Sequence, residues 1–220
     1  MIQNLDMVLF DVGGTLAGAD NMFEIMAKSI PDDRIDISTI ENCFVNIKNK
    51  FDDHQFFNVQ TLLRMTANDL SKSFDIDINP NNFVEIYRHT YTETVYLYDR
   101  VIEILEYLKR KNVEMVVVSD ADADIIRPQL NSLNIDNYFS ELIISSEVEA
   151  YKPSDKICQL LRERFDVDNK SVIFVGDSTV DIETAKKINA KSIYIGTRNL
   201  DTTFKVFKIE EILPILETYL

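Results

Sequence analysis

Polar side chains collect where the apolar runs of this chain stop. Asp11 ends "MVLFD" and is followed by Gly13, Gly14 and Thr15. Ser119 and Asp120 end "VEMVVVSD", and Asp177 ends "SVIFVGD" with Asp181 four residues further on. Lys152 lies in the loop "AYKPS" between the second and third of these runs. Taken singly, an acid ahead of a helix reads as an N-cap and a Gly-Asp pair after a strand as a turn. Together they place three carboxylates, a hydroxyl and one lysine at the ends of buried strands. That much negative charge on one rim requires a cation, and a hard divalent ion with oxygen ligands, Mg²⁺, suits the donors.

The elements that must position these groups follow from periodicity. Residues 7–11, 113–119, 141–146, 171–177 and 192–197 are short apolar runs that read as strands buried on both faces. Helical spacing separates them: Val101, Ile104, Leu105 and Leu108, ending near Asn112 as a left-handed cap; then Ile126, Leu130 and Leu133; then Ile157, Leu160 and Leu161; then Ile182, Ala185 and Ile188. A last helix carries Ile209, Ile212, Leu213 and Leu216. Alternating strands and helices predict an α/β fold, a three-layer Rossmann-like parallel-sheet core with its ligand site at the C-terminal ends of the strands. From about Asn21 to Thr94 the pattern is helical throughout, so residues 18–96 read as an inserted all-helical domain. The core then comprises 1–17 and 97–220.

The 37 acids against 23 lysines and arginines give a net charge of -14, which repels nucleic acid and anionic membranes. An anionic substrate must then be held by a local cation or by oriented amides. Cys43 and Cys158 stand apart and read as structural thiols. His54 and His89 lack ligand spacing. No apolar run is long enough for a membrane span and no signal pattern opens the chain, so a cytoplasmic protein is expected. The sequence carries no marker of oligomeric state.

"DVGGTL", "VVVS", "YKPS" and "VGDSTVD", in that order, resemble the four motifs of the haloacid dehalogenase-like superfamily of phosphohydrolases and their relatives. The resemblance covers residues 5–17 and 97–197, and the insert falls where family members carry a helical cap. It implies Asp11 as the nucleophile that forms an aspartyl-phosphate. It implies that Gly14, Thr15, Ser119, Asp120 and Lys152 bind the phosphoryl group, with Lys152 also neutralising charge on the nucleophile. Asp11, the Gly13 carbonyl and Asp177 would hold Mg²⁺, with Asp181 as a ligand or its support. The implied partner is a small phosphorylated substrate.

One position departs from the family pattern. Phosphatases of this family mostly carry a second aspartate two residues after the nucleophile, which protonates the leaving alcohol and then activates water. Here that position is Gly13. The sequence therefore leaves several readings open: a slow phosphatase with a surrogate acid (Asp120, or Asp20, Asp32 or Asp33 of the insert) or bulk water, a carbon–halogen or phosphorus–carbon hydrolase (the latter using Lys48 or Lys50), or a pocket that binds without turnover. Tyr87, Tyr91, Tyr96 and Tyr98 read as packing near the end of the insert, and Arg34 and Arg64 as candidates for gripping an anionic substrate.

Overall fold

A computed structural model describes residues 4–51 and 55–220; His54 lies outside them. In chain order the elements are β1 (Met7–Phe10), β2 (Ala17–Gly18), α1 (Met22–Ser29), α2 (Ile37–Phe51), α3 (Val59–Phe74), α4 (Pro80–Glu93) and β3 (Tyr96–Leu97). There follow α5 (Val101–Arg110), β4 (Glu114–Ser119), α6 (Ala123–Ser132), β5 (Glu141–Ile144), α7 (Ser145–Val148), α8 (Asp155–Phe165) and β6 (Val172–Gly176). The chain ends with α9 (Thr179–Lys187), β7 (Lys191–Ile195), β8 (Phe204–Val206) and α10 (Ile212–Glu217). The strand expected over 141–146 stops at Ile144, and the two serines begin the short α7 instead.

These elements form two compact units. The first holds Met1–Gly18, Tyr96–Asp120 and Leu130–Leu220; the second holds Ala19–Val95 and Ala121–Gln129. In the first, a six-stranded sheet runs in the order β5-β4-β1-β6-β7-β8, and its paired strands are parallel. Met7 and Leu9 pack with Val116, Val118 and Phe174 against Ile157, Leu161 and Phe165 of α8 and Ala185 of α9. Val8, Phe10, Met115 and Val117 alternate to the other face and are also buried, as are Ile104, Leu105 and Leu108 of α5. Each large apolar side chain removed from water contributes roughly 1.5–3 kcal/mol. That is why the central strands read as unbroken apolar runs rather than alternating ones. Asn112 ends the α5 segment at φ 57, the left-handed cap its position suggested.

The second unit buries Met26, Ile40, Leu63, Ala67, Phe83 and Tyr87 together with Ile125. Asn21, Asn58 and Asn79 cap α1, α3 and α4 through side-chain oxygens, and Pro80 opens α4. Residues 121–129, assigned to the core from sequence, group with these helices. The cause is visible at Asp122, which is 1% exposed and accepts hydrogen bonds from Val59 N (2.9 Å) and Gln60 N (3.0 Å), the first amides of α3. Asp124 accepts from Gln60 Nε2 and pairs with Arg88. The acidic run 120–124 is thus more than a helix start, since its acids have separate partners.

In the first unit β2 and β3 pair antiparallel, so the chain leaves at Gly18 and returns at Tyr96 side by side. The tyrosines form separate ring pairs, Tyr87 with Tyr91 and Tyr96 with Tyr98. Cys158 is buried; Cys43 is half-buried, and burial pushes its thiol up to about 11. Among the described residues no helix is long and apolar enough to cross a membrane.

Candidate active site

The first unit brings the sequence-predicted acids to one edge of its sheet. Asp11 continues β1 by donating its amide to Val175 O (3.0 Å), which holds its side chain at the strand end. The chain then wraps around one carbonyl: the amides of Thr15, Leu16 and Ala17 all donate to Val12 O at 3.2, 2.9 and 3.0 Å. Gly14 takes φ +78, and a Cβ there would stand 2.2 Å from Asp177 Oδ2. Only glycine lets the Asp177 carboxylate lie against this turn. Thr15 is buried, with its hydroxyl 3.5 Å from Asp11 Oδ2. Gly13 is exposed, and a Cβ placed on it meets nothing within 4 Å.

Lys152 is the electrostatic centre. It is 4% exposed, and its Nζ donates to Asp11 Oδ1 (2.6 Å), Asp181 Oδ1 (2.6 Å) and Val118 O (2.9 Å), which uses all three ammonium protons. Its amide donates to Asp120 Oδ1 (2.9 Å), so Asp120 is tied to the lysine loop. Ser119 is buried at the end of β4, the strand beside β1. Asp181 is fully buried in the first turn of α9. Its second oxygen accepts from Ser178 N (3.0 Å) and Ser178 Oγ (2.5 Å), completing a capping box. Gly176 makes room for it, since a Cβ there would lie 2.4 Å from the Asp181 carboxyl.

Oxygens of Asp11, Asp177 and Asp181 lie within 4.8 Å of one another. One ammonium cannot balance three carboxylates. Burial pushes the Asp11 carboxyl up to about 7, with Lys152 opposing the rise and Asp181 and Asp177 adding to it. Burial, then the Asp181 charge, pushes Asp177 up to about 6. Burial works against the Lys152 charge, but Asp11 and Asp181 outweigh it and hold the ammonium above its usual range. Lys152 divides its single charge between Asp11 and Asp181 and forms no ion pair with Asp177, so the unbalanced negative charge falls on Asp11 and Asp177. An all-oxygen donor set short of positive charge fits a hard divalent cation.

Other residues singled out in the sequence have local partners instead. Arg34 pairs with Asp32, donates to Phe74 O (3.0 Å) and stacks on the Phe74 ring. Hydrogen bonds from Arg34 in turn lower Asp32 to about 2, which leaves it no proton to give near neutrality. Arg64 reaches Asn81 Oδ1 (3.4 Å). Asp20, Asp33 and Lys50 are exposed, and Lys48 is half-buried, in the last turn of α2. Sequence reasoning missed Arg198, in the loop after β7. Its Nη2 donates to Asp177 O (3.2 Å) and its Nε to Tyr194 Oη (3.3 Å). Its one sequence signal was its place after a strand, on the same C-terminal edge.

Residues 8–195 match the sequence model of the family described as haloacid dehalogenase-like hydrolases. The phosphoglycolate phosphatase of Escherichia coli K12 is 30% identical over 111 residues, 50% of this chain and 44% of that protein. The chain therefore matches less than half the length of this relative. Among solved structures, the HAD-hydrolase YfnB of Bacillus subtilis, bound to magnesium, superposes with a TM-score of 0.78 at 17% identity, over 98% of this chain and 100% of that one. The L-2-haloacid dehalogenase of Xanthobacter autotrophicus superposes with a TM-score of 0.74 at 14% identity, over 97% and 98%. Both likenesses concern the fold. With strand order, acid-tipped edge and family match in agreement, this chain belongs to the haloacid dehalogenase-like hydrolases.

Proposed function

We propose that the chain is a Mg²⁺-dependent phosphatase of small phosphorylated metabolites, acting through an aspartyl-phosphate on Asp11. The observation that carries the proposal is the charge imbalance around Asp11: a buried carboxylate held by one lysine beside two further acids. Asp11, Asp177 and the Gly13 carbonyl would hold the metal, while Asp181, both of whose oxygens are engaged, sets Lys152. Mg²⁺, which accompanies the Bacillus neighbour, would supply positive charge against the phosphoryl oxygens and keep Asp11 ionised. Residues 1–17 and 97–220, apart from 121–129, would form the catalytic core, and 18–96 the cap.

Asp11 attacks phosphorus and the ester oxygen departs with its bonding pair. Thr15 and Ser119 steady the phosphoryl oxygens while Lys152 holds Asp11 and offsets its charge, since positioning and electrostatics dominate phosphoryl transfer. No side chain at Gly13 can hand a proton to the leaving oxygen. Turnover is then fastest for esters whose leaving group is stable as an anion, such as aryl or acyl phosphates. Water afterwards cleaves the aspartyl-phosphate, releasing phosphate and restoring Asp11.

A carbon–halogen reading fits the electrostatics less well, because without a cation burial, with the neighbouring acids adding to it, keeps Asp11 partly protonated near neutrality. A phosphorus–carbon reading needs a buried amine, and neither candidate is buried: Lys50 is exposed and Lys48 half-buried. Gly13 favours one second reading, a pocket that binds phosphate without turnover. Phosphate release from p-nitrophenyl phosphate, with and without Mg²⁺, separates the two. Mg²⁺-dependent release that Asp11→Asn lowers by about a thousandfold or more supports the phosphatase. Absent release, with Mg²⁺ binding intact and no phosphoryl group trapped on the protein, refutes it.

A further inference from the structure

Arg198 differs from the arginines with local acids. Arg34, Arg88, Arg100, Arg162 and Arg164 each pair with a carboxylate, as expected in a chain of net charge -14. Arg198 contacts only neutral acceptors, the Asp177 carbonyl and the Tyr194 hydroxyl, with its guanidinium carbon 5.9 Å from the centroid of the Tyr194 ring. Among the described residues no carboxylate forms an ion pair with it.

The loop is shaped to hold it there. Tyr194 is 2% exposed, and its ring folds under Gly196, where a Cβ would stand 2.5 Å from the tyrosine hydroxyl. Gly196 adopts φ +151, a conformation that residues with a side chain rarely take. A buried ring and a backbone carbonyl therefore fix an exposed guanidinium beside the acidic cluster. Its remaining N–H donors have no partner among the described residues. The charge of Lys152, by contrast, is spent on Asp11 and Asp181.

We infer that Arg198 binds a second anionic group of the substrate, so that the metabolite carries a carboxylate besides the phosphoryl group that Asp11 attacks. This rests on the phosphatase reading above. The planar fork of a guanidinium matches a carboxylate by paired hydrogen bonds. Arg198 sets which ester is preferred, and Asp11 and Lys152 handle the phosphorus whichever ester is bound.

Calorimetric binding of phosphonates to the Mg²⁺-loaded protein tests this without turnover. The probes are phosphonoacetate and 3-phosphonopropionate, with ethylphosphonate and propylphosphonate as partners lacking the carboxylate. The expected result is tighter binding of at least one carboxylated probe, about tenfold to a hundredfold over its alkyl partner. Arg198→Met should abolish that preference and change alkylphosphonate binding less than twofold, while Arg198→Lys keeps part of it. Mg²⁺ titrated alone into each variant checks that the Asp177 loop is intact. Equal binding of carboxylated and alkyl probes, or a preference that survives Arg198→Met, overturns the inference and leaves the phosphatase reading standing. If no phosphonate binds, both fall, and the phosphatase reading falls first.

Discussion

Substituting Gly13→Asp should raise activity, an unusual direction for a change beside a nucleophile. The structure sets the cost low. A Cβ at Gly13 meets no heavy atom within 4 Å, and the residue does not lie in the left-handed region. An unstrained replacement of glycine stabilises by about 0.4–1 kcal/mol through the unfolded chain, which offsets part of the repulsion from another carboxylate near the acidic cluster. The gain comes from proton transfer. General acid–base help is worth about 10²–10⁴ in rate, or roughly 3–5 kcal/mol of barrier. It should appear almost wholly in the first chemical step for alkyl phosphates, whose leaving alkoxide is strongly basic. For p-nitrophenyl phosphate that step needs no proton, so its gain should be confined to cleavage of the aspartyl-phosphate. The natural protein should then show a burst of nitrophenol near one per site followed by a slow steady rate. Gly13→Asp should erase the burst and raise the ratio of alkyl to aryl turnover about a hundredfold. Rapid-quench and steady-state assays on matched esters read both quantities. An unchanged ratio, in a variant that folds and binds Mg²⁺, would show that proton supply is not what Gly13 removes.

The metal-free protein should lose stability as pH rises from 5 to 8. Asp11 at about 7 and Asp177 at about 6 hold protons more tightly than in the unfolded chain, so their contribution is full below about pH 4 and lost through pH 6–7. For Asp11 alone the rise corresponds to about 4 kcal/mol at most, or about 10 °C in Tm for a chain of this size. Thermal melts with Asp11→Asn as the control check this; a flat profile for the natural protein, or one that Asp11→Asn does not flatten, contradicts the charge argument, and millimolar Mg²⁺ should restore the loss at pH 8. Asp122→Ala should cost about 1–2 kcal/mol in urea unfolding, because it strips the acceptor from the Val59 and Gln60 amides at the start of α3. A change below about 0.3 kcal/mol would mean that the Asn58 cap suffices.

What the sequence disclosed and what it withheld divide along the range of the interactions involved. The parallel sheet was legible because burial on both faces leaves an unbroken apolar run, and the position of Asp11 or Asp177 follows from where such a run ends. The charge imbalance was legible too, since three acids against one lysine is arithmetic on strand ends. Arg34 looked like a ligand group because its acid, two residues before it, could equally have been solvated; in the structure Asp32 takes it up. The grouping of residues 121–129 with the helical unit hangs on Asp122 reaching amides 62 and 63 residues away, and no local pattern encodes that partner. The three-residue strand β8 buries Val206 but leaves Lys205 exposed, too short a run for alternation to register. Arg198 is the sharpest case. "GTRNL" reads as a surface loop, and its arginine is held against the Asp177 carbonyl only because Gly196 lets the Tyr194 ring fold beneath it. Charge and burial are summed along the chain and can be read there. The direction in which a single guanidinium points depends on a ring four residues back, and that is where a reading of this candidate site from sequence alone stops.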